Sequence, residues 1–353
     1  MRSSPKKALL MDINTINSVC IKYLGEDINI FLYGSYGANQ GGWVVDDNNN
    51  YYPYNDYDIL VLKDISRNED LNLLPIIKKE LLENINVRFI DLSFTNHSKM
   101  ESLKPTVENF DIINASKQIF GNYDFRQHVN QINKKNITLK EIEKLFFTRL
   151  WVFSGAITNL EKDKSFRLTQ IAKAIFAIVD AILIENKTYT SLYADKKNII
   201  ENFVSKEFFS LVCWAYKQRS RPSSELNLNQ FVDGEKKYNE NFLSKAVCEE
   251  YKLVFLRILG KKYKKSFKTI NEFRYFYQSS IMIKIKRLIY PIVKGRSYNK
   301  EIYTRSAFMI KLSVLLSEIS DSEALEMLNN ARVFFGIKEN EYNYICYEIA
   351  KKS

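Results

Sequence analysis

The chain has 353 residues, of which 46% are hydrophobic and 26% are charged, and its formal net charge is +11. This length allows two domains with full cores, and the composition is typical of a globular protein and excludes a disordered one. The four cysteines lie far apart and the chain has two histidines, which excludes a zinc-finger-like site and a disulfide framework.

The first residues predict neither a signal peptide nor a membrane span. Residues 1–7 are basic, but Asp12 interrupts the short apolar patch that follows them. No uninterrupted apolar run in the sequence reaches the roughly 20 residues that a transmembrane helix needs. We therefore expect a cytoplasmic protein with reduced cysteines.

The net charge is unevenly distributed along the sequence. Residues 1–130 contain 13 Lys and Arg against 17 Asp and Glu, so this part carries −4 and the remainder carries +15. The asymmetry predicts that the second part of the chain binds an anionic partner.

The first 95 residues alternate between helical and strand periodicity, which predicts a small α/β unit. Helices are expected over residues 5–24 and 71–82, strands over residues 28–33, 56–62 and 86–94, and a hairpin over residues 43–53. Ser35 is expected at the start of a short helix that follows the first strand.

The remainder of the sequence predicts helices, so the expected fold class is α+β with a domain boundary near residue 125. Residues 112–121 are predicted as one helix that closes on Gly121. The polar residues 218–236 are the best internal linker and mark a second boundary. Further helices are predicted over residues 142–159, 168–185, 206–217, 240–259, 271–289, 302–318 and 322–334.

Three features of residues 28–94 carry chemistry: Gly34-Ser35 after the first strand, Asp56-x-Asp58 at the second, and Asp91 within the third. Alternate side chains of a strand share a face, so Asp56 and Asp58 are expected to point the same way. Neighbouring carboxylates repel each other unless a cation separates them, and oxygen ligands favour Mg²⁺ or Mn²⁺. A Gly-Ser turn offers backbone N–H groups and a hydroxyl to phosphate. The pattern predicts metal-dependent chemistry on a nucleoside triphosphate.

This combination resembles the nucleotidyltransferase superfamily named after DNA polymerase β, and in particular small bacterial members with a helical C-terminal domain. The resemblance implies a nucleotidyltransferase domain with a short mixed sheet over residues 1–125, and a basic helical domain that binds the substrate or acceptor over residues 126–353. It implies an enzyme that moves a nucleoside monophosphate from an NTP to a hydroxyl or phosphate acceptor and releases pyrophosphate.

The resemblance also implies roles for individual residues. Asp56, Asp58 and Asp91 would bind the divalent metal, and Gly34 and Ser35 would hold the phosphates of the NTP. Asp91 is expected to be buried in its apolar strand, where a carboxylate needs a metal or a charged partner. Family members often carry a basic residue soon after Gly-Ser, whereas residues 36–40 contain none. The nucleotide-binding candidates from the second domain are Arg149, Arg167 and Lys173.

One alternative is a catalytically silent binding module, such as an antitoxin or a sensor. Without a metal site each aspartate has an ordinary structural role, in which Asp56 caps a strand, Asp58 faces solvent and Asp91 pairs with Arg88. A pseudoenzyme has no reason to keep three mutually repelling carboxylates, which favours the enzyme.

A second alternative is RNA binding through residues 251–300. This region contains 14 Lys and Arg, among aromatic residues, against the single acid Glu272. Such a pattern is typical of nucleic-acid or anionic-membrane binding, and also of a solvated face over an aromatic core. The acceptor therefore stays open between a small molecule, a protein and an RNA end, with an anionic one favoured.

Overall fold

The structure is a computed structural model that describes residues 2–63, 68–87, 89–127, 132–158, 163–223, 240–279, 299–338 and 345. Several predicted features lie outside the described residues: Arg88, residues 224–236 of the linker and residues 280–289 of a predicted helix. Contacts divide the chain into two units. The first consists of Met1–Thr138, Asn186–Asn202 and Tyr216–Pro222, and the second of Leu139–Glu185, Phe203–Ala215 and Ser223–Ser353.

The part of the first unit before residue 138 alternates between helices and strands. Its first helix begins where Ser4 accepts a hydrogen bond from Lys7 N–H and Pro5 occupies the first helical position. The elements are α1 (Pro5–Leu24), β1 (Asn29–Tyr33), α2 (Gly34–Gly37), β2 (Trp43–Val45), β3 (Tyr51–Pro53), β4 (Tyr57–Leu62), α3 (Asn68–Asn84), β5 (Ile90–Thr95), α4 (His97–Glu101), α5 (Val107–Ala115) and β6 (Lys117–Phe120).

The described elements after residue 138 are helical. They are α6 (Leu139–Thr158), α7 (Lys164–Glu185), α8 (Tyr193–Ile200), α9 (Lys206–Ser220), α10 (Glu240–Tyr263), α11 (Ile270–Ser279), α12 (Asn299–Leu315) and α13 (Asp321–Phe335), with short 3₁₀ turns elsewhere. By contact, α8 and the last residues of α9 belong to the first unit. The protein is therefore α+β, with a small mixed sheet followed by a helical C-terminal region, as its sequence predicts.

Four strands form the sheet of the first unit, in the order β5-β4-β1-β6. Strand β1 is antiparallel to both β4 and β6, whereas β4 and β5 are parallel. The predicted hairpin is present as a separate antiparallel pair of β2 and β3. The helix α3 connects the parallel strands β4 and β5, as a crossover connection requires.

The prediction of one helix over residues 112–121 is wrong. Helix α5 ends at Ala115, Ser116 is extended with φ −85° and ψ 156°, and residues 117–120 form β6 against β1. The apolar residues of this segment suit either a helix or a strand, and the free edge of β1 decides between them. Its backbone N–H and C=O groups need partners, and β6 supplies them.

Helices α1 and α3 cover one face of the sheet. Side chains of β1, β4 and β5 form one buried cluster with apolar residues of the two helices: Ile30, Leu32, Tyr57, Ile59, Val61, Ile90 and Leu92 from the strands, and Ile16, Val19, Ile77 and Leu81 from the helices. Because side chains alternate along a strand, Tyr33, Asp58 and Asp91 stand on the opposite face. The three predicted chemistry-bearing strands therefore present polar groups away from this core.

The second unit is built around α7. This helix packs against α6 and α10, and its side chains are buried on nearly every side. A helix that is apolar all round lies in a core or in a membrane. Neither α7 nor any other helix that the structure describes reaches the length and apolarity that a membrane crossing demands.

Candidate active site

The register of the sheet brings together the ends of three strands. Tyr33 on β1 pairs with Asp58 on β4, and Asp58 pairs with Asp91 on β5. Residues paired across neighbouring strands have their side chains on one face and their Cβ atoms about 5 Å apart. Tyr33, Asp58 and Asp91 therefore form one row on the face opposite α1 and α3.

The backbone of Gly34 lies directly against the carboxylate of Asp58. A Cβ atom at position 34 would come within 2.0 Å of Asp58 Oδ2, and Gly34 has a φ of +63°, which L side chains rarely adopt. Both observations favour glycine at this position. The Gly-Ser turn and the aspartate of β4 are thus held in contact, although 24 residues separate them in the sequence.

The turn itself is the single helical turn α2. Its hydrogen bonds run from Ala38 N–H to Gly34 O at 3.1 Å and from Gln40 N–H to Ser35 O at 2.7 Å. Ser35 is buried, with 6% of its surface exposed. Sequence reasoning placed Ser35 at the start of a short helix, which is confirmed.

Asp56 lies one residue before β4 and is half-buried. Its neighbour Asn55 is buried, and its backbone N–H donates to the hydroxyl of Tyr36 at 3.3 Å. The Nδ2 atom of Asn55 is buried without a hydrogen-bond partner among the described residues. A buried amide donor of this kind normally finds an acceptor.

Asp91 differs from its predicted environment. Its side chain is 51% exposed rather than buried, because β5 is the edge strand of the sheet. Its carboxylate Oδ1 lies 3.9 Å from the ammonium nitrogen of Lys78, on α3. The expected pairing with Arg88 falls outside the described residues, whereas Lys78 was not anticipated as a partner.

The row of polar groups creates a negative potential at Tyr33. Burial, and then the nearby carboxylates of Asp58 and Asp91, raise the pKa of the Tyr33 phenol well above its ordinary value of 10. Tyr33 thus stays neutral beside two carboxylates, and its hydroxyl is also close to Ser93. Sequence reasoning missed Tyr33, although its place directly before Gly34 was the available signal.

The ligand type of these side chains suits a divalent metal, but their number falls short of a complete metal site among the described residues. Asp58 and Asp91 offer adjacent carboxylate oxygens, the ligand type that Mg²⁺ and Mn²⁺ prefer. Among the residues that the structure describes, however, no group of three or more His, Cys, Asp and Glu side chains lies close enough to hold a metal ion. The convergence of Asp56 with the other two carboxylates remains a prediction.

The predicted nucleotide-binding residues Arg149, Arg167 and Lys173 lie in the second unit, on α6 and α7. Arg149 is near Tyr251, where its charge acts to lower a phenol pKa that burial raises. The Gly34–Ser35 turn belongs to the first unit, and the role of these three residues at that turn stays a prediction.

A cluster that sequence reasoning missed lies in the first unit, beside the loop of residues 38–42. We call it the tyrosine–cation cluster; it consists of Tyr189, Tyr193, Lys196, Tyr216 and Arg219. The ammonium of Lys196 lies 4.6 Å and 5.1 Å from the ring centres of Tyr189 and Tyr193, and the guanidinium of Arg219 lies 4.3 Å from that of Tyr193. These are cation–π distances.

The first unit also contains a cleft of about 590 Å³, lined in part by Tyr189 and Ser191. The aromatic rings of Phe110 and Tyr189 meet edge to face there, at 5.5 Å between centroids. The hydroxyl of Ser191 is buried and has no hydrogen-bond partner among the described residues. Size, aromatic lining and an unsatisfied polar group are features of small-molecule sites.

The basic region 251–300 is described as far as residue 279, with its last two residues on α12. Within the second unit some of its cations have acidic partners: Lys252 lies 2.7 Å from Glu318, Arg257 lies 2.7 Å from Glu185, and Lys262 pairs with Glu143. The aromatic rings of Phe267, Phe273 and Phe276 contact one another. The described part of the region thus combines an aromatic core and paired cations with exposed lysines, Lys264, Lys265 and Lys268.

Comparison with known proteins adds no identification. No protein-family model matches the chain, and no curated protein sequence matches it.

Proposed function

We propose that this protein is a metal-dependent nucleotidyltransferase that transfers a nucleoside monophosphate from an NTP to an acceptor. The observation that carries the proposal is the row of Tyr33, Asp58 and Asp91 in register across three strands, with the Asp58 carboxylate against Gly34. This arrangement brings the Asp58 carboxylate against a tight turn and puts Asp91 next to Asp58 in the register of the sheet.

In this mechanism the chain binds and orients the reacting groups. Asp56, Asp58 and Asp91 would hold Mg²⁺ or Mn²⁺, which when bound would neutralise phosphate charge. Gly34 and Ser35 would bind the leaving β- and γ-phosphates. An acceptor oxygen attacks the α-phosphorus, and the bond from that phosphorus to the bridging oxygen breaks. Pyrophosphate leaves with the electron pair, and the acceptor proton passes to solvent at the exposed Asp91.

The acceptor is proposed to be a small molecule with a hydroxyl or phosphate group. The cleft beside Ser191 supports this choice, because its volume of about 590 Å³ falls in the range of small-molecule sites. Its lining includes Lys134 and the amides of Asn114 and Asn133, and the lining residues include no carboxylate. Such a surface favours a neutral or anionic acceptor over a cationic one.

The test is pyrophosphate release from each of the four NTPs with Mg²⁺ and cell extract as the source of acceptor. We expect turnover by the wild type and a loss of at least about 100-fold in Asp58→Asn, since that change removes a charge required for metal and phosphate binding. The matched control is Asp47→Asn, at a carboxylate of the β2–β3 hairpin. Equal rates in wild type and Asp58→Asn would refute the proposal.

A second measurement does not depend on knowing the acceptor. Mn²⁺ binding, followed by the loss of its electron paramagnetic resonance signal, should be at least about tenfold weaker in Asp58→Asn than in Asp47→Asn.

The silent binding module is the second candidate, because the ion pair between Lys78 and Asp91 gives that carboxylate a structural partner. Under this hypothesis Asp58→Asn leaves the biological effect of the protein unchanged, and no NTP releases pyrophosphate. The variant Lys78→Gln also distinguishes the enzyme from the silent module. It should leave the biological effect of a silent module unchanged but alter the activity of an enzyme that uses Asp91.

A further inference from the structure

The end of α9 is held against the loop that follows the Gly-Ser turn. A Cβ atom on Gly42 would lie 2.4 Å from the backbone oxygen of Arg219, so glycine permits this close approach. The carbonyl of Gly42 in turn accepts a hydrogen bond from the hydroxyl of Tyr36 at 2.5 Å. A continuous chain of contacts thus connects Arg219, Gly42 and the turn residue Tyr36.

Electrostatics places the charge of Arg219 near the same hydroxyl. Burial is the main cause that raises the pKa of Tyr36; Arg219 acts to lower this pKa, and Asp56 acts to raise it. The pKa of the buried Tyr36 phenol therefore responds to the charges of Arg219 on α9 and of Asp56, a predicted metal ligand. Tyr36 directly follows Ser35, so its side chain connects the turn with the place where these two charges act.

The guanidinium of Arg219 is held in place by its neighbours in the tyrosine–cation cluster. It lies over the ring of Tyr193, whose backbone N–H donates to Gln40 Oε1 at 2.9 Å and whose carbonyl accepts from Tyr216. Gln40 belongs to the loop of residues 38–42. The cluster and the loop therefore contact and stabilise each other. Because the guanidinium is already stacked on Tyr193, it loses little conformational entropy when it binds a ligand.

We propose that Arg219 is the phosphate-binding cation of the nucleotide site, in the place of the basic residue that the sequence lacks after Gly37. This inference rests on the proposed nucleotidyltransferase function and deepens it. The planar fork of a guanidinium binds phosphate oxygens in pairs, which suits the β- and γ-phosphates of an NTP. Arg219 is partly exposed, whereas Lys196 is 2% exposed and acts as a positioning residue for the tyrosines.

The test is equilibrium binding of NTP analogues with a methylene group between the α- and β-phosphates, in the presence of Mg²⁺. Arg219→Gln should raise the Kd of the triphosphate at least about tenfold and change that of the monophosphate less than about twofold, since the monophosphate lacks the groups that Arg219 contacts. Arg219→Lys should retain part of the affinity. The control is Arg221→Gln, at an exposed arginine two residues along the chain.

The outcomes separate this inference from the proposed function. If the wild type binds none of the four triphosphate analogues, both fail. If it binds one and Arg219→Gln binds it equally well, the inference is overturned while the proposed function stands.

A measurement on the wild type avoids any dependence on folding of the variants. Phenylglyoxal modifies accessible arginines, and peptide mass analysis reports the modified positions. The triphosphate analogue should protect Arg219 at least about fivefold more than Arg221, and the monophosphate should protect neither. Equal modification of Arg219 with and without the triphosphate overturns the inference.

Discussion

At the scale of single residues, Gly34 is the most constrained position of the candidate site. Its φ of +63° already disfavours any other residue, and the Asp58 carboxylate occupies the space where a side chain would begin. A left-handed backbone conformation at a non-glycine residue costs about 1–2 kcal/mol. Overpacking adds a separate penalty, typically about 1–3 kcal/mol.

We expect Gly34→Ala to lower the free energy of unfolding by about 2–5 kcal/mol, as the sum of backbone strain and overpacking. Gly336→Ala is the matched control, because Gly336 has a φ of +62° and nothing lies within 4 Å of the position that its Cβ atom would take. It should cost only about 1–2 kcal/mol. Urea denaturation measures both.

The double variant Gly34→Ala/Asp58→Ala tests whether the cost of Gly34→Ala comes from the contact between position 34 and the Asp58 carboxylate. Removing the carboxylate relieves the overpacking, so the two changes should be coupled by about 1–3 kcal/mol. Strict additivity of the two single variants would contradict the close approach of Asp58 to Gly34.

At the scale of elements, a buried ion pair fastens α1 to the sheet. Asp12 on α1 is 2% exposed and binds the guanidinium of Arg2 through two hydrogen bonds of 2.7 Å. Asp12 also accepts a hydrogen bond of 2.7 Å from Tyr57 on β4, and Arg2 donates to the carbonyl of Tyr51 on β3. One carboxylate thus connects a helix with the strand that carries Asp58.

Asp12→Ala should lower the free energy of unfolding by about 3–5 kcal/mol, because it leaves the Arg2 charge and the Tyr57 hydroxyl without their partner. Asp27→Ala, at an exposed carboxylate just after α1, should stay within about 0.5 kcal/mol. Chemical denaturation followed by circular dichroism compares them. The double variant Arg2→Met/Asp12→Leu should be more stable than Asp12→Ala; a double variant that is less stable would contradict this account.

One segment of the chain shows where the local sequence pattern is insufficient to predict secondary structure. The residues of α5 and β6 carry one continuous apolar pattern. The last of them form a strand rather than more helix because they pair with the edge of β1. The other strands of the sheet and the helices α6, α7, α9 and α10 lie close to the residues that the sequence predicts for them, because the residue types and spacings that favour each element are local.

At the scale of the whole molecule, buried tyrosines couple stability to pH. Burial raises the pKa of Tyr36 and Tyr57 in the first unit and of Tyr251 in the second well above 10. These phenols keep their protons in the folded protein at a pH where the unfolded chain has released them. Stability from each is therefore fully present below the ordinary tyrosine pKa of about 10 and is lost as pH rises above it.

Tyr57→Phe isolates this effect. Below about pH 9 the wild type should be more stable by about 1 kcal/mol, because the variant lacks the hydrogen bond to Asp12. Above about pH 10 that advantage should shrink by up to about 1.4 kcal/mol per pH unit, since only the wild type must keep the Tyr57 proton bound. Urea denaturation between about pH 8 and pH 11 gives the difference. The exposed Tyr275→Phe is the control, and a Tyr57 difference independent of pH would contradict the prediction.

The sequence by itself determined the α+β class, the strands that carry Asp58 and Asp91, and the Gly-Ser turn before them. These features depend on local periodicity and on residue types with narrow conformational preferences, so neighbouring residues suffice to predict them. The order of the chemistry-bearing groups was likewise visible in the sequence, although the exposure of Asp91 and its partner Lys78 were not.

Only the tertiary structure decided which groups meet at the candidate site. Gln40 and Tyr193 are 153 residues apart, yet one hydrogen bond joins them, and the contact between Gly42 and Arg219 spans a similar distance along the chain. No periodicity encodes such a contact, because it depends on how complete elements pack rather than on any local run of residues. The cation that we propose for the nucleotide site, Arg219, lies on α9, and only the folded first unit brings that helix to the loop after the turn.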